Sequence, residues 1–455
     1  MSGVQVQGAA VEVVRRKAGP AFVLLGVVQV TLIFTLAAIA VPLPHIGREF
    51  GLVRAELVLL SAAYGLTFAG LLLFGGRLAD RFGGRRVLTV GLVGFAAASV
   101  LVPLAPSYPA LLGARFAQGA GAALVAPAAM AVLRSVFPEP AAYGRAMATW
   151  GGLSMLGATA GNLLAGVISA VTSWRLAFAV PLVVAVGALL LAPRLLPDAP
   201  PAEQKPGLDP AGAGLATGGV VLASYGLVLS DAYGWTAYEV LLPLLAGIGL
   251  LLGFLAVERR VVAPLLPPRF LLNRRRGLGL VAIALTAAGT STTFVLFSLH
   301  LQEGRGWSPL ETSAAFVPFA AALILSGRLA GPLIGRYGAG RVAGGGLLVG
   351  AAGLGLLALA GFTPSLPYVT GLLPGLLLLP AGAAASFAGA AVLATDGVPP
   401  GEAGLAGGVL NTAMELGATV VFALVLAVGG DGPSLAAAAA GFALLALLNY
   451  RSVHC

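Results

Sequence analysis

Apolar residues run along this chain in long unbroken stretches, separated by short polar joints rich in glycine, proline and arginine. A hydrocarbon layer of about 30 Å takes about 20 residues of helix to cross at 1.5 Å each. Stretches of that length can be drawn over 20–43, 56–75, 87–107, 109–133, 143–169, 175–195, 211–230, 237–257, 278–301, 309–332, 342–361, 367–391, 403–428 and 433–450. In lipid each backbone N–H and C=O must bond within its own segment, so every stretch predicts a helix. The pattern therefore predicts an all-α membrane protein with fourteen transmembrane helices.

Composition points the same way. Of 455 residues, 58% are hydrophobic and 9% charged, against about 45–50% and 25% in an ordinary soluble domain. Too few polar groups exist to coat a water-soluble globule. The 65 glycines and 30 prolines follow no collagen-like period and sit in no polar tract, which argues against disorder. Arg15, Arg16 and Lys17 precede the first stretch, but its 24 or so residues exceed the apolar region of a cleaved signal.

The chemical inventory is short. Cys455 is the only cysteine, and the three histidines, His45, His300 and His454, are far apart, so neither a disulfide nor a metal cluster is expected. Lys17 and Lys205 are the only lysines and neither lies in a phosphate-binding Gly-Lys-Ser/Thr motif. No cofactor and no enzymatic constellation is predicted. Of the basic residues outside the spans, twenty fall on the side of the N-terminus and four (Arg48, Arg54, Arg175 and Arg305) on the other. The positive-inside rule then puts both termini in the cytoplasm, with the chain multi-pass in the cytoplasmic membrane. The net charge of +9 reads as a topology signal with attraction to anionic lipid, not as nucleic-acid binding.

An internal repeat organises the spans. Gly76-Arg77-Leu78-Ala79-Asp80-Arg81-Phe82-Gly83-Gly84-Arg85-Arg86 returns 255 residues later as Gly331-Pro332-Leu333-Ile334-Gly335-Arg336-Tyr337-Gly338-Ala339-Gly340-Arg341. The same offset lays Thr31 on Thr286, Thr35 on Thr290 and Tyr64 on Phe319. Two six-helix pseudo-repeats are predicted, 1–196 and 261–455, with a linker and an inserted helix pair at 197–260. Such repeats are how secondary transporters build a site near the membrane midplane.

The 76–86 segment closely resembles the cytoplasmic signature of the major facilitator superfamily. Arg115-Phe-Ala-Gln118-Gly119-Ala-Gly121 is similar to the family's fourth-helix arginine motif. Trp174-Arg175 with Phe178 and Pro181 is similar to the start of helix six. His300-Leu-Gln302 and Gly404-Leu-Ala-Gly-Gly-Val-Leu-Asn411-Thr412 resemble helices nine and thirteen of the fourteen-helix drug:proton antiporters. The resemblance implies export of amphipathic compounds coupled to inward proton flow. It also assigns a gating role to the fifth-helix run Gly157, Gly161, Asn162 and Gly166, where Asn162 replaces a proline of that motif. In the first helix Thr35 stands where the branch carries an aspartate.

An ionisable side chain inside a bilayer is costly, by about 2.5 kcal/mol or more on insertion scales, and marks function by default. Glu415 lies some twelve residues into its stretch, in a polar stripe with Gly408, Asn411, Thr412 and Thr419, and is the candidate proton carrier. Arg115, with Gln118 on its face, is the second coupling candidate; Arg328 reads as snorkelling to the interface. Gly76, Asp80, Arg81, Gly83, Arg85 and Arg86 are candidate gating residues, Asp80 by accepting hydrogen bonds from a helix N-terminus or an arginine. Gln29, Thr35, Tyr64, Gln118, Thr290, Thr293, Phe297 and Asn411 are candidate substrate contacts, being hydroxyls, amides and aromatics suited to amphipathic ligands. The resulting expectation is a multidrug or antibiotic exporter working by proton antiport. It would act as a monomer, its partners being an amphipathic substrate, protons and membrane lipid. A proton-independent or specific metabolite exporter, and a non-transporting receptor or scaffold, stay open as alternatives.

Overall fold

A computed structural model describes residues 2–39, 42–197, 207, 209–261, 264–363, 365–421, 425 and 430–453. Among them the regular structure is all helical. The helices are α1 Ser2–Ala37, α2 Leu43–Phe50, α3 Arg54–Phe82, α4 Gly84–Leu104, α5 Tyr108–Val136, α6 Pro140–Val171, α7 Trp174–Ala177, α8 Ala179–Leu195, α9 Pro210–Tyr233 and α10 Tyr238–Glu258. They continue with α11 Pro268–Leu272, α12 Arg274–Leu299, α13 Pro309–Ala315, α14 Val317–Tyr337, α15 Ala339–Ala360, α16 Tyr368–Gly371, α17 Leu373–Thr395, α18 Ala403–Leu416 and α19 Asp431–Val453. Single wide turns follow α12 (His300–Gly304) and α18 (Gly417–Val421).

Among the described residues eleven helices are long and apolar enough to cross a membrane. The predicted fifth, seventh and thirteenth spans are not among them. For the seventh, the apolar helix is the shorter Ala211–Leu227. The thirteenth passes from α18 into the wide turn, and most of 422–429 lies outside the described residues.

Four predicted stretches are broken where proline dictates. The stretch 20–43 ends as α1 at Ala37, and Pro42 then caps α2. The breaks at Phe178, Phe316 and Leu372 precede Pro181, Pro318 and Pro374 by two or three residues. A proline ring has no N–H to give and crowds the carbonyl four residues back, so the helix restarts around it.

Contacts divide the chain into two compact units. The first comprises Met1–Pro138, Gly157–Pro267 and Val398–Val409; the second comprises Glu139–Leu156, Pro268–Gly397 and Leu410–Cys455. Two helices thus change unit midway, α6 after Leu156 and α18 after Val409. The first unit packs α3, α4 and α5 through glycines: a Cβ on Gly121 would stand 2.6 Å from the Phe95 amide nitrogen. One of its cores joins Ile39, Ile46, Leu60, Val102, Leu111, Trp174 and Phe178. The second unit zips α15 to α17 through Gly346 and Gly353, each against α17 backbone, and through Gly382 of α17 against the Gly350 backbone. Close approach through small residues is how helices gain packing energy where no hydrophobic effect drives them together.

The repeated motif shows the same local geometry twice. Gly83 (φ 92°, ψ 136°) alone separates α3 from α4, and Gly338 (φ 83°, ψ 154°) alone separates α14 from α15. Only glycine takes such positive φ values freely, so each copy needs its glycine to turn one helix into the next.

Candidate functional site

In the first unit the site is built around a buried cation. Arg115, on α5, is wholly buried. Its Nη1 donates to the Thr35 carbonyl of α1 at 3.0 Å and to Gln118 Oε1 at 3.1 Å. Gln118 Nε2 in turn donates to Ser99 Oγ of α4 at 2.9 Å. The guanidinium lies 5.1 Å from the Tyr64 ring centre and 5.6 Å from that of Phe178, and the Tyr64 hydroxyl donates to the Leu32 carbonyl at 3.0 Å. Arg115 Nε and Nη2 have no hydrogen-bond partner. Rings facing a desolvated guanidinium stabilise it by about 2 kcal/mol each at best.

The same stretch of α1 is gripped from its other side. A Cβ on Gly157 would stand 2.5 Å from the Val30 carbonyl oxygen, and one on Gly161 would stand 2.7 Å from the Phe34 carbonyl and 3.0 Å from Ala37 Cβ. α1 therefore runs past α6 with no room for a side chain, and the turn so clamped carries Thr35. Thr35 is fully buried and its hydroxyl donates to the Thr31 carbonyl at 2.7 Å. Gln29 is buried one to two turns earlier on α1. The Asn162 side chain and the surroundings of Gly166 lie outside the described set.

Asp80 closes a second contact within this unit. Its Oδ1 accepts from the Gly404 N–H at 2.5 Å and its Oδ2 from the Leu405 N–H at 2.7 Å, at the start of α18. Gly76, one turn earlier, lies directly against the Gly404 carbonyl. Of the two roles open to Asp80 in the sequence, the structure places it on a helix N-terminus. Arg77 sends Nε to the Leu265 carbonyl and Nη2 to the Pro264 carbonyl, both at 2.6 Å. Arg85 donates to the Leu196 carbonyl at 3.3 Å, Arg81 stands over the Phe82 ring, and Arg86 is exposed.

Glu415 belongs to the second unit. It is half-buried, one residue before α18 ends. At 1.5 Å per residue it stands about 16 Å along the helix from the amides that Asp80 holds, roughly half the thickness of a hydrocarbon core. Gly417, two residues on, presses on Ala284 of α12, a Cβ there falling 2.6 Å from Ala284 Cα. Glu415 thus lies two residues before the turn that packs on α12, the helix bearing the threonine stripe. Asn411 is buried one turn earlier and the shielded Thr412 hydroxyl has no partner; the Thr419 side chain lies outside the described set.

On α12, Thr290 donates to the Thr286 and Ala287 carbonyls and Thr293 to that of Gly289. The Thr286 and Ser386 hydroxyls bond at 3.2 Å. Phe297 is fully buried, stacked on Phe362 at 4.6 Å and edge-on to His300. Arg328 is exposed on α14.

The structure therefore gathers Arg115, Gln118, Thr35 and Tyr64 in one unit, and sets Glu415, Asn411, Thr290, Thr293 and Phe297 in the other. Two polar anchors do not appear among the sequence candidates. One is Arg77, inside the motif but without an assigned role. The other is Glu49, whose carboxylate takes both terminal nitrogens of Arg175, at 2.6 and 3.1 Å, and the Trp174 indole N–H at 2.9 Å. These donors, Arg175 foremost, hold the Glu49 carboxyl below its ordinary range.

The Major Facilitator Superfamily profile matches residues 23–422. The chain belongs to this family. It is accordingly a multi-pass membrane protein that transports small molecules. The cephamycin export protein CmcT of Amycolatopsis lactamdurans is 36% identical over 91% of this chain and 85% of its own length. The puromycin resistance protein pur8 of Streptomyces alboniger is 35% identical, covering 93% and 84%. Among solved structures, the proton:xylose symporter XylE superposes with a TM-score of 0.69 at 15% identity, covering 96% of each chain. The human organic anion transporter MFSD10 gives 0.68 at 18%, covering 96% of this chain and 99% of its own. Both share the fold.

Proposed function

We propose that this protein exports amphipathic, antibiotic-like small molecules across the cytoplasmic membrane by proton antiport, with Glu415 as the proton carrier. Relatives named for antibiotic export and resistance support the substrate class. The observation that carries the coupling is the position of Glu415: a carboxyl half a membrane thickness along α18, two residues before the turn that packs on the threonine-bearing α12. A charge there is costly unless it is neutralised or shared, so gain and loss of a proton at this group is what links it to transport. Arg115 offers two open donors to a substrate carbonyl or anion.

Fourteen transmembrane helices, arranged as two six-helix pseudo-repeats with α9 and α10 inserted and both termini cytoplasmic, complete the reading. The matching Gly83 and Gly338 turns support the repeat. Asp80 acts as a releasable hold on α18. That helix begins in the first unit and ends, with Glu415, in the second, so freeing its start lets it move with the second unit. Gly157 and Gly161 let α1 and α6 slide backbone on backbone.

The test is uptake of labelled puromycin into inverted membrane vesicles energised to acidify their lumen. Accumulation that a protonophore abolishes is the expected result. Accumulation indifferent to the protonophore would favour a proton-independent exporter, and no accumulation of puromycin or of a cephamycin would overturn the proposed substrate class.

A further inference from the structure

The feet of the inserted helices hold two acids that transport of substrate does not use. Asp209 caps α9, its Oδ1 accepting from the Gly212 N–H at 2.8 Å. It is 6% exposed, and its Oδ2 is buried without a hydrogen-bond partner. Glu258 ends α10 at 3% exposure, with Oε1 accepting from the Leu265 N–H at 3.0 Å and Oε2 from the Leu266 N–H at 2.8 Å. A Cβ built on Gly212 would lie 2.5 Å from Asp209 Oδ2 and 2.8 Å from Glu258 Oε1, so by the sum of those distances the two oxygens are within about 5.3 Å of each other. Gly212 is the residue that leaves them a clear line.

Glu258 has Arg77 as its counter-charge. Arg77, 3% exposed on α3, grips the carbonyls of Pro264 and Leu265 while Glu258 grips the amides of Leu265 and Leu266. The 264–266 segment is thus held from both sides. Two carboxylates against one guanidinium leave one negative charge in excess in a buried place, which is costly unless neutralised. A calcium or magnesium ion wants six or more oxygens and zinc about four ligands, and among the described residues no third acid or histidine joins this pair. A proton needs only two oxygens.

We propose that Asp209 and Glu258 together bind one proton between the oxygens that face Gly212, and that this proton latches the foot of the inserted helix pair to the segment Arg77 holds. The proton comes from bulk water and returns there, and no other bond changes. Arg77 is the charged group that acts on Glu258 from α3. Arg259 and Arg260, beside Glu258, are exposed, and Asp80, one turn beyond Arg77, is engaged with Gly404 and Leu405. Asp198, Glu203 and Lys205 of the linker lie outside the described residues. The site lies wholly in the first unit, whereas Glu415 lies in the second.

Hydrogen exchange of the full-length protein in lipid nanodiscs, read by mass spectrometry across mildly acidic to alkaline pH, tests this directly. After correction for intrinsic exchange, the amides of Gly212, Leu265 and Leu266 report the latch. Where the latched pair holds its proton and the opened acids do not, opening releases one H⁺, so protection falls about tenfold per pH unit and then levels off. Asp209→Asn keeps the cap and presents an N–H in place of the proton, so protection at these amides becomes flat in pH. Glu258→Gln removes the second acid and is likewise flat, which keeps the test valid should either variant fold poorly. A flat wild-type profile, or an equally steep one in both variants, overturns the proposal. Neither outcome depends on whether the protein exports antibiotics, so the two ideas fail separately.

Discussion

Replacing Asp80 by asparagine changes one oxygen to an N–H₂ and removes a charge, leaving the side-chain volume almost unaltered. In the native protein both carboxylate oxygens accept backbone N–H groups, at 2.5 and 2.7 Å, from the start of α18. Asparagine can still accept one of these bonds but sets a donor against the other. A hydrogen bond to a charged group is worth about 1.5–3 kcal/mol, and a charge at a helix N-terminus adds about 0.3–1 kcal/mol. Allowing for what asparagine retains, the hold on α18 weakens by about 2 kcal/mol, or roughly 30-fold in the fraction released. A reporter is at hand in Ala406, 3% exposed within the held turn. With Cys455 changed to serine, Ala406→Cys should react with a maleimide only when α18 comes free. The rate should rise about 30-fold on adding Asp80→Asn. A rate within twofold of the parent, in protein that still elutes as a folded species, would refute the assignment of Asp80 as the hold.

Arg115→Lys keeps a charge but loses the planar fork and its reach to Thr35 and Gln118. Export should fall at least tenfold in vesicle assays while expression and thermal midpoint change little. Gly161→Leu drives a side chain into the Phe34 carbonyl and Ala37 Cβ; such overpacking costs about 1–3 kcal/mol, visible as a lower melting temperature by scanning fluorimetry and as lost export. Glu49 is held below its ordinary range by Arg175, so its ion pair stabilises the fold above about pH 4.5 and that contribution is lost as pH falls through the lower folded value. Being partly exposed, it is worth under about 1 kcal/mol. Glu49→Gln should therefore lower the melting temperature slightly at neutral pH and not at all at strongly acid pH.

How much of this was legible in the chain follows from the range of each interaction. Apolar stretches are local, so the helices could be read directly, and the 255-residue offset exposed the paired Gly83 and Gly338 turns. Proline positions were equally visible, but which prolines split a span depends on tertiary support for the freed carbonyls. That is why 309–332 became two helices at Phe316. Arg115 and Gln118 sit three apart on one helix and their bond follows from helical spacing; the open donors beside it required seeing what failed to reach them. Asp80 could be recognised as an acceptor, yet its partners lie more than 320 residues away and are backbone amides. Glu258 and Asp209 looked like ordinary charges at span ends. No pattern in the chain could say that 49 residues of hairpin return one acid to the other.

The central claim rests on Glu415, and substrate-driven proton movement reads it most directly. Purified protein in proteoliposomes with an internal pH dye is given puromycin or a cephamycin, and wild type is compared with Glu415→Gln. Coupled proton flow in the wild type, abolished in Glu415→Gln although the variant still binds substrate, is the predicted result. Undiminished coupled flow in Glu415→Gln would contradict the account.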